Sequence, residues 1–462
     1  MMTTRRLLLG LFASTALLAG CAGWPTGEQT QPIVFVHGNG DSAAVWQTTI
    51  WRFESNGWPA DRLTAINIPY PLARDNDSKP QAGRSSTAEN MAYLRAAVDQ
   101  VLKTSGASKV ILVGNSRGGN AIRNYIQNGG GDKTVSEAIL GGTPNHGVWA
   151  IKGLNEGNEF SGTGPFLTGL NAPKGPNGDE VTPGVKWLTI RSDNNDKYAQ
   201  PDGLWIGHKG TPTGVTFDGP ALKGATNVVI PGVTHRGTAF SPAAFGVMYR
   251  FITGHAAHTL NPVAQAAPLL SGEITGLGVH SNDPASGNFS NNLPLPGAQL
   301  AIYATDPATG ERIGAARYSQ TITADGRWGP FTAASGVPYE FVISAPGYAT
   351  THIYRSPFPR SSNIVDMHPV RLTAADQGAG SVITFERPRG YFDPAREQIS
   401  FDGHTPPPGV PPTGVAGISS STIKTAPSAG VRAITGQLDG ERITGRTWPA
   451  AQDNAVVLEL TN

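Results

Sequence analysis

Ser116 stands in the run Val110-Ile111-Leu112-Val113-Gly114-Asn115-Ser116-Arg117-Gly118-Gly119. A serine hydroxyl attacks a carbonyl only when a base takes its proton and the backbone holds it out of the fold, and glycine at both second neighbours suits so sharp a turn. The β-branched residues ahead of it read as a strand, and Ala121, Ile122, Tyr125 and Ile126 recur at helical spacing behind it. The order strand, tight turn, helix follows. Gly114 and Gly118 remove the Cβ atoms that would hold the two elements apart there. Ser116 is therefore the candidate nucleophile for acyl transfer. A second apolar run, residues 32–36, delivers His37-Gly38-Asn39-Gly40 at its end. The backbone N–H groups of Asn39 and of Arg117 are predicted to form a two-donor oxyanion hole, in which one donor is worth about 3 kcal/mol in the transition state. His37 is expected to pack that loop.

The elements that must position these groups are written in the patterning. Trp46, Ile50, Trp51 and Phe53 are expected to form one apolar helical face, and residues 63–68 a strand. Ser86 and Glu89 make a capping box ahead of a helix whose buried stripe is Met91, Leu94, Val98, Val101 and Leu102. Strands are predicted over 135–140, 187–190 and 227–230, the last leading to His235, and a helix over 243–253 stops at Gly254. Alternating strands and helices over residues 32–254 predict an α/β fold: a doubly wound, mostly parallel sheet.

In order and spacing these segments resemble the α/β-hydrolase superfamily, and within it the bacterial class 2 lipases, including the small Bacillus-type enzymes. The resemblance spans roughly residues 31–254 and rests on His37 to Gly40, Glu89 to Gly119, Tyr125 to Gly142 and Asn227 to His235. It implies a Ser, Asp, His triad in chain order, with Ser116 as nucleophile and His235 as base. The acid falls in Ile190-Arg191-Ser192-Asp193-Asn194-Asn195-Asp196; Asp196 is the choice, with Asp202 ahead of Asp193 as the alternative. His146, in a glycine-rich loop, is read as active-site wall. The chain departs from the family at Asn115 and Arg117, where His and often Met flank the nucleophile. The Arg117 guanidinium is expected at the pocket rim, favouring substrates with a carboxylate or carbonyl. Residues 148–184 form an insertion suited to a lid or an acyl-binding wall, or equally to a surface excursion that tucks its apolar residues onto the core.

At the N-terminus, Arg5 and Arg6 precede an apolar run from Leu7 to Leu18 that ends Leu18-Ala19-Gly20-Cys21. The run is short for a membrane span and reads as an export signal over residues 1–21. Its ending resembles a lipobox, which implies lipidation of Cys21, and its start resembles a twin-arginine signal. Export to the periplasm, outer membrane or cell surface is expected. Cys21 is the one cysteine of the 462 residues, so the mature chain holds no disulfide pair within itself. The formal charge of +1 gives no electrostatic footprint for nucleic acid. No metal or organic cofactor is implied, and a monomer is expected.

The catalytic domain is placed at residues 31–256 and a linker at 262–268. Beyond it helical periodicity gives way to strand runs and turns. Residues 270–368 resemble a β-sandwich, and 371–462 continue as a second β region; Tyr354, Phe358, Tyr391 and Phe392 are candidates for substrate contact, with core packing expected for most of them. The expected function is an exported serine ester hydrolase, a lipase or carboxylesterase. A polyester depolymerase and a catalytically inactive anchored binding protein are the alternatives.

Overall fold

The computed structural model describes residues 30–279 and 288–461, so the expected export signal and Cys21 lie outside the described residues. Six strands, β1 (Ile33–Val36), β2 (Leu63–Ile66), β3 (Val110–Asn115), β4 (Val135–Gly141), β5 (Lys186–Ser192) and β6 (Thr226–Ile230), build one parallel sheet in the order β2-β1-β3-β4-β5-β6. The chain leaves β1 toward β2 and then crosses to β3 on the other side. Ligands of open α/β sheets bind at such a reversal, beyond the carboxyl ends of the strands.

The central strands are apolar on both faces because both faces are covered. Helices α1 (Gln47–Ser55), α2 (Thr87–Ser105), α3 (Arg117–Asn128), α4 (Pro165–Leu170), α5 (Gly237–Phe240) and α6 (Pro242–Thr253) supply most of that cover. Val34, Val36 and Leu112 pack with Leu94 and Val98 of α2 and with Ile122 and Tyr125 of α3. Ile33, Phe35 and Val113 pack on the opposite side with Ile50 and Phe53 of α1 and with Phe245 and Met248 of α6. The helix ends are set locally. Ser86 accepts from the Glu89 N–H at 3.2 Å while the Glu89 carboxylate accepts from the Ser86 N–H at 2.7 Å, and α2 stops at Gly106 in a left-handed conformation.

One expected face divides. Trp46, Ile50 and Phe53 look onto the parallel sheet, whereas Trp51 turns into the β region, where its indole meets Phe358 edge-on at 6.3 Å and donates to the Ser361 carbonyl at 2.8 Å. Residues four and three apart share a helix face; neighbours at 50 and 51 do not.

The C-terminal region is rich in antiparallel strands. Strands β7 (Gln299–Ala304), β8 (Tyr318–Thr321), β9 (Tyr339–Ser344), β10 (Thr350–Arg355), β11 (Val382–Glu386), β12 (Ser420–Lys424) and β13 (Asn454–Glu459) form one sheet in the order β8-β7-β9-β10-β13-β11-β12. β13 lies between β10 and β11 and runs parallel to both, so one sheet runs through residues on either side of position 370. Leu270, Trp328 and Phe331 pack over one part of it, and Ile399, Phe401, Ile434 and Ile443 over another. Tyr354, Phe358 and Phe392 are buried in these cores. Polar contacts fix the two regions together: Arg389 donates to the Ala44 carbonyl at 2.8 Å, and Arg355 and Arg389 both reach the Gln47 side chain.

Replacing Trp51 by alanine empties a buried site shared by the two regions. We expect it to cost about 3–5 kcal/mol, read as a lower midpoint in urea followed by tryptophan fluorescence.

Candidate active site

Ser116 occupies the turn between β3 and α3 with φ 53° and ψ −121°, a backbone conformation that side chains other than glycine seldom adopt. The strain, of order 1–3 kcal/mol, is held by close packing on both sides. The Ser116 N–H donates to the Gly141 carbonyl at 2.9 Å. A Cβ on Gly118 would fall on the carbonyl oxygens of Val36 and His37, and one on Gly114 would come within 2.7 Å of the Gly119 nitrogen. Glycine is required at both places, and the serine is thereby lifted to the end of the sheet.

His235 follows β6 and is buried. Its Nδ1 lies 2.9 Å from both carboxylate oxygens of Asp196. Its Nε2 is buried and has no hydrogen-bond partner among the described residues. Tyr198 meets the imidazole edge-on at 4.7 Å, and its N–H donates to Asp196 at 2.8 Å. The other aspartates of that segment do different work. Asp193 accepts from the Gly232 N–H at 3.0 Å, bracing the loop that carries His235, and Asp202 accepts from the Leu204 N–H at 3.1 Å in a turn of its own.

Ser116, His235 and Asn39 line one cavity of about 340 Å³, together with Trp149, Phe160, Trp205 and Tyr391. The Asn39 side chain accepts from the Ala73 N–H at 2.7 Å, which fixes the loop after β1. Arg117 is the first residue of α3, where backbone N–H groups have no acceptor within the helix. His37 packs its loop: Nε2 accepts from the Ile68 N–H at 3.1 Å, Nδ1 lies 2.9 Å from the Gly38 carbonyl, and burial lowers its pKa.

Two expectations are corrected here. The Arg117 guanidinium does not reach the pocket rim; it is buried and turned away, paired bidentately with Glu159 at 2.8 Å. Its remaining donors go to the Pro71 carbonyl and to the hydroxyl and carbonyl of Ser85. All five of its N–H donors are thus committed. His146 does not wall the Ser116 cavity either. It sits 3.1 Å from both carboxylate oxygens of Glu180 and lines a neighbouring cavity of about 310 Å³ behind the loop.

The insertion over 148–184 contributes twice. Trp149 and Phe160 wall the cavity, whereas Leu167 and Leu170 are buried. Tyr391, one of the aromatics that the sequence offered for substrate contact, does line this cavity, whereas patterning gave no means of finding Lys197 or Ser419 there, or the Glu159 that pairs with Arg117. Only the unusual arginine after the serine hinted that a buried acid must meet it.

A parallel sheet wound on both faces, with a serine on the strained turn after a central strand, defines the α/β-hydrolase class. The family described as lipase (class 2) matches residues 30–168, and that described as lipase C-terminal domain matches residues 269–372. Residues 30–168 thus match the class 2 lipases, and the enzyme class that this match supports is carboxylic ester hydrolase. Similar solved structures include a Bacillus licheniformis lipase in its mature form, 22% identical, with 48% of this chain covering 92% of that one and a TM-score of 0.34. Its propeptide form is 16% identical, over 90% of this chain and 92% of that one, with a TM-score of 0.34. Aspergillus fumigatus lipase B is 17% identical over 51% of this chain, with a TM-score of 0.35; the match spans 55% of that lipase.

Arg117→Met leaves Glu159 as an unpaired buried carboxylate, and we expect a loss of about 3–5 kcal/mol. A double variant that also carries Glu159→Leu should recover most of it. Thermal unfolding of the three proteins checks both outcomes.

Proposed function

We propose that the chain hydrolyses carboxylic esters through an acyl-enzyme formed on Ser116. The observation that carries this is the His235 imidazole: one nitrogen is held by both oxygens of Asp196, and the other is unpaired at the cavity that contains Ser116. In that arrangement Nε2 takes the Ser116 proton as the hydroxyl oxygen attacks the ester carbonyl, and returns it to the departing alcohol. Asp196 holds the Nδ1–H tautomer and stabilises the imidazolium that forms. The backbone N–H groups of Asn39 and Arg117 receive the negative charge of the tetrahedral intermediate. Water then attacks the acyl-enzyme with the same base, releasing the acid.

A cavity of about 340 Å³ is near the lower end of ligand pockets, roughly 300–1,000 Å³. Trp149, Phe160 and Trp205 wall it beside charged and polar groups such as Asp41, Lys197 and Arg236, and its small size supports short acyl chains as the preferred substrates of this lipase or carboxylesterase. We further propose that the protein is exported and held at a membrane surface by acylation of Cys21. That reading is supported by the charged, apolar and small-residue segments of the N-terminal run. No helix among the described residues is long and apolar enough to cross a membrane.

A fluorophosphonate probe should label the folded protein at Ser116, and Ser116→Ala should abolish labelling. Asp196→Asn should lower kcat about 10⁴-fold on 4-nitrophenyl butyrate, whereas Asp202→Asn should leave it near the wild-type value. Equal losses from the two variants would reject Asp196 as the acid. Turnover is expected to fall from butyrate to palmitate esters; a preference for palmitate would reject the short-chain assignment. Incorporation of an alkyne-tagged fatty acid in cells, lost in Cys21→Ala, tests the anchor.

A further inference from the structure

Lys197, the residue after Asp196, lines the cavity that holds Ser116 and His235. Its ammonium nitrogen lies 4.1 Å from the ring centre of Tyr391, 4.9 Å from that of Tyr198 and 5.4 Å from that of Trp205. It donates one hydrogen bond, of 3.0 Å, to the Gly417 carbonyl. An ammonium carries three N–H donors, so donors remain for whatever enters.

The charged groups around it are already committed. Asp196 accepts from His235 and from the Tyr198 N–H. Asp41 and Arg236 pair with each other at 2.5 Å, and the Arg236 guanidinium also lies over the Tyr391 ring. Among the described residues no carboxylate forms an ion pair with Lys197. Burial, and then the neighbouring Arg236, lower its pKa to about 8, with Asp196 and Asp41 opposing. The side chain is therefore mostly charged at neutral pH. Aromatic faces offset part of its lost hydration, and an anionic ligand would complete its coordination.

We propose that Lys197 is a specificity-determining residue that binds a free carboxylate carried by the ester substrate, so that carboxylated esters are hydrolysed in preference to neutral esters of the same length. The proposal rests on the Ser116 reading above and deepens it. It moves anion selection from Arg117, whose guanidinium is fully engaged elsewhere, to a cation placed in the cavity itself. The competing role for Lys197 is a strap that ties the loop after β5 to the Gly417 segment. A strap affects charged and neutral substrates alike.

The test compares kcat/KM of the full-length protein, Lys197→Gln and Lys197→Arg on two matched pairs. In one pair, 4-nitrophenyl hydrogen glutarate against 4-nitrophenyl valerate, the carboxylate is on the acyl side. In the other, 4-butyryloxybutanoate against butyl butyrate, it is on the alcohol side. We expect the charged-to-neutral ratio of at least one pair to fall about tenfold in Lys197→Gln and to survive in Lys197→Arg. The pair that responds shows which side of the ester faces Lys197. In the wild type that ratio should be present well below pH 8 and lost well above it, as the ammonium deprotonates, whereas Lys197→Arg should keep it at high pH. The wild-type pH profile requires no variant to fold. Ratios that Lys197→Gln leaves unchanged, or losses equal on both members of each pair, overturn the proposal while neutral-ester turnover upholds the Ser116 mechanism. Absence of neutral-ester turnover together with no labelling of Ser116 overturns both.

Discussion

The contact on which the site depends is the approach of α3 to the end of β1. Gly118 lies against the Val36 and His37 carbonyls with no room for a methyl group, and that proximity brings the first turn of α3 beside the loop that carries Asn39. Were the helix further out, the strained conformation of Ser116 would lose part of the packing that holds it. The two N–H groups expected to receive developing charge would also separate. The Arg117 and Glu159 pair reinforces this from the other side by clamping the 148–184 insertion to the start of the same helix. A buried ion pair contributes little net stability relative to an apolar pair of the same volume. Its directional bonds instead fix where the insertion sits, and so where Trp149 and Phe160 stand.

The β region is not an appendage to this arrangement. Asn195, one residue before the Asp196 carboxylate, donates to Asp393 at 2.9 Å and accepts from the Ala416 N–H at 3.0 Å. Tyr391 and Ser419 close part of the cavity. The catalytic loops therefore rest on the C-terminal region, and the substrate meets a surface made by both.

Much of the parallel sheet was legible because its signals are local. The apolar run at 110–113, the glycines around Ser116 and the capping box at Ser86 each act within a few residues, and each leads to the element observed. The division of the α1 surface was less legible, because the apolar character of Trp51 says that it is buried and not against what. The place of Lys197 was illegible for a stronger reason. The hydrogen bond from Lys197 to Gly417 spans 220 positions, and no periodicity carries information across that interval. Arg117 shows the reverse error: an unusual charge next to a nucleophile invites a functional reading, yet its partner Glu159 lay in an insertion with no regular pattern.

The position of β13 has a consequence for how the chain acquires its shape. Asn454–Glu459 fills a slot between β10 and β11, paired in parallel with residues 350–355 on one side and 383–386 on the other. Until those residues are available, β10 and β11 face each other across a gap as two unsatisfied strand edges, the kind of surface that captures other chains. The parallel sheet, whose last helix ends at Thr253, can form well before then. Tyr391 and Ser419 follow β11 and precede β12, so the chamber around the nucleophile is walled by a segment whose flanking strands join the rest of their sheet only through residues 454–459.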